Sequence, residues 1–371
     1  MNVWPPAGLA AGLLFCRCLL VFASAELPAQ EPSRAAPSRP SAPAPAGPEV
    51  PLALKKIGGR DYVKLADFGG RLGLSLTLSE RGKQATLAGP RGRFVVERDG
   101  REALVNGLRV FLGDPVLESA GALYLSRVDA DLSLTPLLQP GRGVAAPAPV
   151  KVVVLDPGHG GKDNGTSALE KTYALDLARR VKKGLESAGF SVVLTRESDS
   201  FIELTQRTVI SNTARADLFV SIHFNALPRD NKTSGVEVFT FAPPLQRSTN
   251  SWSPREPNDA ERTAAPVNRH DHWSAVLAHA VHRRFVLDLK TFDRGKKLAH
   301  WGVLRGLACP GVLIECGFLT STVEARKIGT LEYRQQLAAA LAAGISDYSA
   351  RLAGVSRTAA GGRAAVPGVA P

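Results

Sequence analysis

The sequence predicts an α/β protein with a mostly parallel sheet flanked by helices on both faces, preceded by a small β-rich α+β domain. Three observations carry that reading. Uniformly apolar runs such as 152–155 and 218–222 alternate with amphipathic helical stretches, short alternating runs fill 51–138, and Pro-, Gly- and Ala-rich breaks separate the pieces. A strand that is apolar throughout is buried on both faces, which calls for helices on both sides of a parallel sheet. Strict alternation between Gly-Pro, Asp-Gly and Asn-Gly signals marks short antiparallel strands.

In chain order, residues 8–25 form an apolar run ending in Ala23-Ser24-Ala25, the small-x-small pattern of a secretory cleavage site. Residues 1–25 are therefore expected to be a signal peptide. Arg17 interrupts the run, so no stable membrane span is expected after cleavage. Residues 26–50 carry seven prolines among Ala and Ser and predict an extended linker. The domain at 51–138 has strand-like runs at 84–87, 93–97 and 108–112; it contains neither His nor Cys and shows no chemistry. A second break at 139–149 is the next linker. The domain at 150–354 then alternates strands (152–155, 191–194, 218–222, 312–314) with helices, one over 171–186 and one starting near Ser274. Residues 355–371 lack periodicity and predict a disordered tail.

Composition narrows the function. The chain has 371 residues, a net charge of +12 and four cysteines, of which Cys16 and Cys18 fall in the leader. Cys309 and Cys316 lie seven apart across a strand-like run, too far for a bridge, so the fold does not rest on disulfides. An exported basic protein is drawn to anionic wall polymers. The scattered Lys and Arg give no basic stripe with interleaved aromatics, and nucleic acid is not an expected partner.

Ligand sites of α/β sheets lie beyond the carboxyl ends of the strands. Here those ends read Asp156-Pro157-Gly158-His159-Gly160-Gly161, Ser221-Ile222-His223-Phe224-Asn225 and Ile314-Glu315-Cys316-Gly317. The glycine loop lacks the Gly-Lys-Ser/Thr of a phosphate cradle, and GxGxxG, HExxH and GxSxG are all missing. Two imidazoles and a carboxylate instead form a catalytic metal set with one open position. Glu170, in the first turn of its helix, is the third candidate ligand to His159 and His223, and Glu315 is the candidate general base. Taken singly, each has an ordinary alternative: core histidines, a helix-dipole carboxylate, or a carboxylate paired with a structural Arg. Asn225 is a candidate substrate or oxyanion donor. His279 and His282, three apart on a helix, read as packing and surface positions.

Residues 152–166 (VVVLDPGHGGKDNGT), Glu170 eleven residues after His159, 217–226 (DLFVSIHFNA) and 312–318 (VLIECGF) together resemble the zinc-dependent N-acetylmuramoyl-L-alanine amidases, over roughly 151–350. The resemblance implies one zinc ion held by His159, Glu170 and His223, with Glu315 as catalytic acid/base. It implies peptidoglycan as substrate, cut at the amide between the lactyl group of N-acetylmuramic acid and L-alanine, and action in the periplasm or cell envelope, with an activator protein as a possible partner. Thr195, Arg196, Arg207 and the 293–295 segment match family positions expected to be structural or substrate-facing. Tyr62-Val63-Lys64-Leu65 and Tyr124-Leu125-Ser126-Arg127, each leading into a helix, are similar to the copper-amine-oxidase N-terminal-like accessory domain, implying a surface role without copper. One departure is a long Pro- and Asn-rich connection between Phe241 and His272, including Trp252 and His270, expected either to line the glycan groove or to occlude the site. Two competing functions are a zinc peptidase acting within stem peptides and a non-catalytic wall-binding protein; the presence of Glu315 beside the ligand set speaks against the latter.

Overall fold

The computed structural model describes residues 51–79, 81–249 and 259–361. The expected signal peptide and first linker, Trp252, and residues 362–371 lie outside the described residues. The described N-terminal part holds β1 (Leu54–Ile57), β2 (Arg60–Lys64), α1 (Leu65–Arg71), β3 (Ser75–Leu78), β4 (Gln84–Gly89), β5 (Gly92–Glu97), β6 (Glu102–Val105), β7 (Leu108–Phe111), β8 (Leu117–Ser119) and β9 (Ala122–Ser126). A π-helical turn (Asp129–Leu134) and α2 (Thr135–Leu138) follow. The remainder holds β10 (Val152–Pro157), α3 (Ala168–Ser187), β11 (Ser191–Leu194), α4 (Leu204–Thr213), β12 (Leu218–Asn225) and β13 (Val236–Phe241). After a 3-10 turn (Pro266–His270) come α5 (Asp271–Leu289), β14 (Asp293–Ala299), α6 (Gly302–Arg305), β15 (Gly311–Phe318), α7 (Thr322–Ile328) and α8 (Leu331–Gly361).

The strands form two sheets, a small one ordered β1-β2-β9-β8 and a large one ordered β11-β10-β12-β15-β13-β14-β7-β6-β5-β4-β3. The expectation of a mostly parallel sheet needs correction: the large sheet is mixed. Its β11-β10-β12-β15 part is parallel. β13 then enters antiparallel to β15, pairing Glu237 with Glu315. The meander β3 to β7 is antiparallel throughout and joins the same sheet where Lys296 of β14 pairs with Val110 of β7. Sequence alternation cannot reveal which sheet a strand extends, because every residue of β13 is buried and reads the same in either direction.

Successive residues of a strand face opposite sides, and the core divides accordingly. Val153 and Leu155 of β10 pack with α3, α5 and α8, whereas Val154 between them packs with Phe219, Phe239 and the α6 residues Val303 and Leu304. Leu337, Leu341, Ile345, Tyr348 and Leu352 repeat at helical spacing along α8 and are buried in the first of these cores. The irregular tail expected from residue 355 is a second correction, since α8 continues to Gly361. Its Ala-rich sequence favours helix, and Val355 still packs on the core. The segment at 139–149 is held on both sides: Gln139 Nε2 donates to the Leu72 carbonyl and Trp273 Nε1 to that of Ala145. Among the described residues, no helix is long and apolar enough to cross a membrane.

Candidate metal centre and cleft

Parallel pairing sets the site. Pro157 of β10 lies beside Ile222 of β12, and His223 lies beside Glu315 of β15, so three strand ends share one rim. Beyond β10 the chain turns sharply and His159 takes a left-handed backbone conformation (φ 60°). A side chain at Gly158 would collide with the His223 ring, and one at Gly165 would strike Glu170 and His159. Glycine at these two positions is what lets the rings and the carboxylate approach.

Glu170, in the first turn of α3, points back at the strand ends. His159 Nε2 and His223 Nδ1 both face its Oε1 at 3.1 Å. Its Oε2 accepts from the backbone N–H of Thr166 at 2.6 Å and the Thr166 hydroxyl at 2.8 Å. Burial opposes its charge, but His159, His223 and the Thr166 amide outweigh that and hold the carboxyl far below the usual range. His159 is likewise opposed by burial, and Glu170 and Asp163 outweigh it to raise the imidazole. Asp163 fixes the ring by facing His159 Nδ1 at 2.9 Å while accepting from the Gly165 N–H at 3.0 Å.

One donor atom from each of His159, Glu170 and His223 lies within 4.8 Å of the others. Ligands about 2.0–2.1 Å from a tetrahedral zinc stand roughly 3.4 Å apart, so the two 3.1 Å separations suit such an ion, and the N, N, O donor chemistry suits a borderline-soft divalent cation. Among the described residues no other His, Cys, Asp or Glu group of three comes so close. His282 is instead paired with Asp293 at 2.7 Å, and burial pushes the His279 imidazole down to about 3.

Behind the loop, two arginines act as staples. Arg207 donates to Asp156 Oδ1 at 2.7 Å and to the carbonyls of Pro157 and His159. Arg196 donates to the carbonyls of Pro157, Gly158 and Lys171. Asp156, fully buried, also accepts from Thr195 and Ser221.

Glu315 sits beside His223 on the same rim. Its Oε2 is sealed from solvent and has no hydrogen-bond partner in the structure. Burial first, then Glu170 and Glu237, raise its carboxyl well above the ordinary value, with Lys297 opposing. Glu237 is neutralised by Arg294 at 2.7 Å and Lys297 at 2.9 Å. Asn225 lines the cleft, donates weakly to Glu237 at 3.4 Å and accepts from the Ala226 N–H. The cleft encloses about 570 Å³ and runs from these polar groups to Phe201, Leu204 and Trp301.

Sequence reasoning passed over Asp163, Glu237, Lys297 and the apolar lining. Asp163, four residues beyond His159 in the glycine loop, was accessible as a ring-orienting carboxylate. Glu237 and Lys297 were not, because the antiparallel β13–β15 register brings Glu237 to Glu315 and the parallel β13–β14 pairing brings Lys297 to Glu237. Of the long connection after Phe241, the described residues fold back on β14: Thr249 bonds to Leu298, and Ser248 and Asp259 approach His300. None of these described residues lines the cleft.

The model of the N-acetylmuramoyl-L-alanine amidase family matches residues 153–347. This chain belongs to that family. The amidase is 31% identical over 257 residues to AmiA of Escherichia coli, spanning 61% of this chain and 88% of that protein. It is 30% identical to AmiC of Neisseria meningitidis, spanning 59% of this chain and 57% of that one. Among solved structures it is similar to the amidase AmiC2 of Nostoc punctiforme, with 32% identity, 53% and 96% coverage and a TM-score of 0.44. The CwlD amidase from Clostridioides difficile, solved in complex with the GerS lipoprotein, matches at 27% identity, 54% and 99% coverage and a TM-score of 0.43. These relatives are named as amidases, and the matched segment contains all four rim residues.

Proposed function

We propose that this amidase hydrolyses the amide between the lactyl group of N-acetylmuramic acid and L-alanine, with one zinc ion held by His159, Glu170 and His223 and with Glu315 as general base and acid. The observation that carries the reading is the convergence of those three donors within 4.8 Å on the rim that also bears Glu315. A divalent ion held there supplies Lewis acidity to the scissile carbonyl and makes water acidic enough to be deprotonated near neutral pH. Glu315 removes a proton from the attacking water and delivers it to the leaving nitrogen of L-alanine, restoring itself. Its burial and acidic neighbours favour the protonated form, which Lys297 opposes. Asp163 holds His159 so that Nε2 faces inward. Asn225 serves as a substrate donor, since its amide is committed only through a long bond.

The same proposal covers the rest of the chain: export by the leader at 1–25 to the periplasm or cell envelope, linkers at 26–50 and 139–149, a copper-free accessory module at 51–138, and a catalytic domain at 150–354. A protein activator is part of it. Digestion of purified peptidoglycan, read by mass spectrometry, tests the bond. Expected products are glycan ending in free lactyl groups and intact stem peptides beginning with L-alanine. Peptides shortened within the stem on an intact muramic acid would replace this reading with a peptidase.

A further inference from the structure

We propose that the apolar wall of the cleft, centred on Trp301, is a saccharide subsite that takes the N-acetylmuramoyl ring of the substrate. This inference rests on the amide specificity proposed above. Trp301 and Leu204 are 41% and 56% exposed, and both line the cleft together with Phe201, Val303 and Leu313. Isolated apolar side chains on a surface are ordinary, but two large ones side by side in a concavity beside a reactive centre form a patch suited to a ligand. The wall joins the reactive centre directly, because Leu313 lies two residues before Glu315 on β15 and shares its face.

The wall is also held still. The Trp301 ring stands edge-on to Phe239, with centroids 5.9 Å apart at 86°. Its carbonyl accepts from the Leu304 N–H at 3.0 Å as α6 begins. On the opposite side Lys162 Nζ lies 4.4 Å over the Phe201 ring. A pre-positioned aromatic loses little freedom on binding.

The occupant follows from the two sides of the scissile bond. On the amine side the stem peptide carries carboxylates and backbone amides, whose polar groups would go unpaired against this wall. On the acyl side is a pyranose, whose C–H face is apolar and electropositive and matches the negative face of an indole, with hydroxyls directed to the edges. The ring is tied to the scissile carbonyl by the short lactyl ether and so must lie close to the rim.

The test compares two substrates that share the scissile amide, a disaccharide-tetrapeptide muropeptide and a D-lactoyl-L-alanyl peptide of the same stem, using the full zinc-loaded chain. We expect Trp301→Ala to lower kcat/KM for the muropeptide about tenfold, mainly through KM, and to leave the lactoyl peptide unchanged. Equal losses on both substrates, or no loss on either, overturn the subsite. A second pair keeps the test valid if the Ala variant fails to fold: Trp301→Phe retains a ring and Trp301→Leu only apolar bulk. The subsite requires Leu, and not Phe, to lose muropeptide activity selectively, and equal behaviour of the two overturns it. A wild-type chain that cleaves neither substrate at the lactyl amide overturns the proposed function itself, which is a separate outcome.

Discussion

The two arms of the large sheet differ in how their strands meet. In the parallel arm β10, β12 and β15 are neighbours in space although long stretches of chain separate them, and their ends bring His159, His223 and Glu315 to one rim. In the antiparallel arm each strand from β3 to β7 pairs with its neighbour in sequence, and the buried residues are apolar: Ala85, Leu87, Phe94, Val96, Ala103 and Val105. The difference teaches where chemistry can arise. A local meander places similar residues together and builds a core, whereas non-local parallel pairing assembles unlike groups that no single segment contains.

The sharpest way to break this contrast is at the rim. We expect Glu315→Ala to reduce kcat by roughly a thousandfold, within the range of general acid-base contributions, with zinc content by elemental analysis unchanged. A small effect, or loss of the metal, would remove Glu315 from its assigned place. The antiparallel arm should respond oppositely. Leu87 is fully buried, so Leu87→Ala should cost about 2–5 kcal/mol of stability in denaturant titration and leave kcat unchanged below the transition. A fall in kcat without unfolding would tie the meander to the chemistry.

Smaller effects sharpen the picture further. Asp163→Asn should weaken zinc binding about 10- to 100-fold in a competition titration with a chelator, as expected for a carboxylate that orients a ligand ring; unchanged affinity would make Asp163 a loop residue only. The smallest is a pH effect at Asp271, next to the joint between the arms. Burial lifts its carboxyl to about 7, against Asn268 and Lys296, which lower it. An unfolded Asp titrates near ~4, so the folded state holds the proton more tightly and stability declines as pH rises between the two values. Asp271→Asn should flatten that slope, giving a smaller change in Tm than wild type between about pH 5 and about pH 8. An identical slope would show that the group is not strained.

The sequence made legible whatever depends on strand ends and local motifs. His159, Glu170, His223 and Glu315 were readable because buried strands announce themselves by composition and ligand sites follow their carboxyl ends. The glycines at 158 and 165 were legible as part of a glycine-rich segment, though not as the clearance that the His223 ring and Glu170 need. What stayed hidden depends on register. The reversal of β13, the Glu237, Arg294 and Lys297 cluster, and the merging of the N-terminal meander into the large sheet all rest on pairings that leave no periodic trace. The helix past residue 355 was missed for another reason, since Ala and Gly are ambiguous until Val355 is seen to pack.

The joint between the arms also bears on synthesis. Arg109 donates its backbone N–H to the Asp293 carboxylate, a contact across 184 residues, whereas the hairpins of the meander close within a few residues of each other. Contacts between neighbours form early, and distant ones wait on loop closure. A nascent chain leaving the ribosome therefore can shape its N-terminal strands while the rim is still missing a member, because Glu315 emerges 315 − 159 = 156 residues after His159. The three strand ends of the rim are therefore complete only once the segment carrying Glu315 has been made.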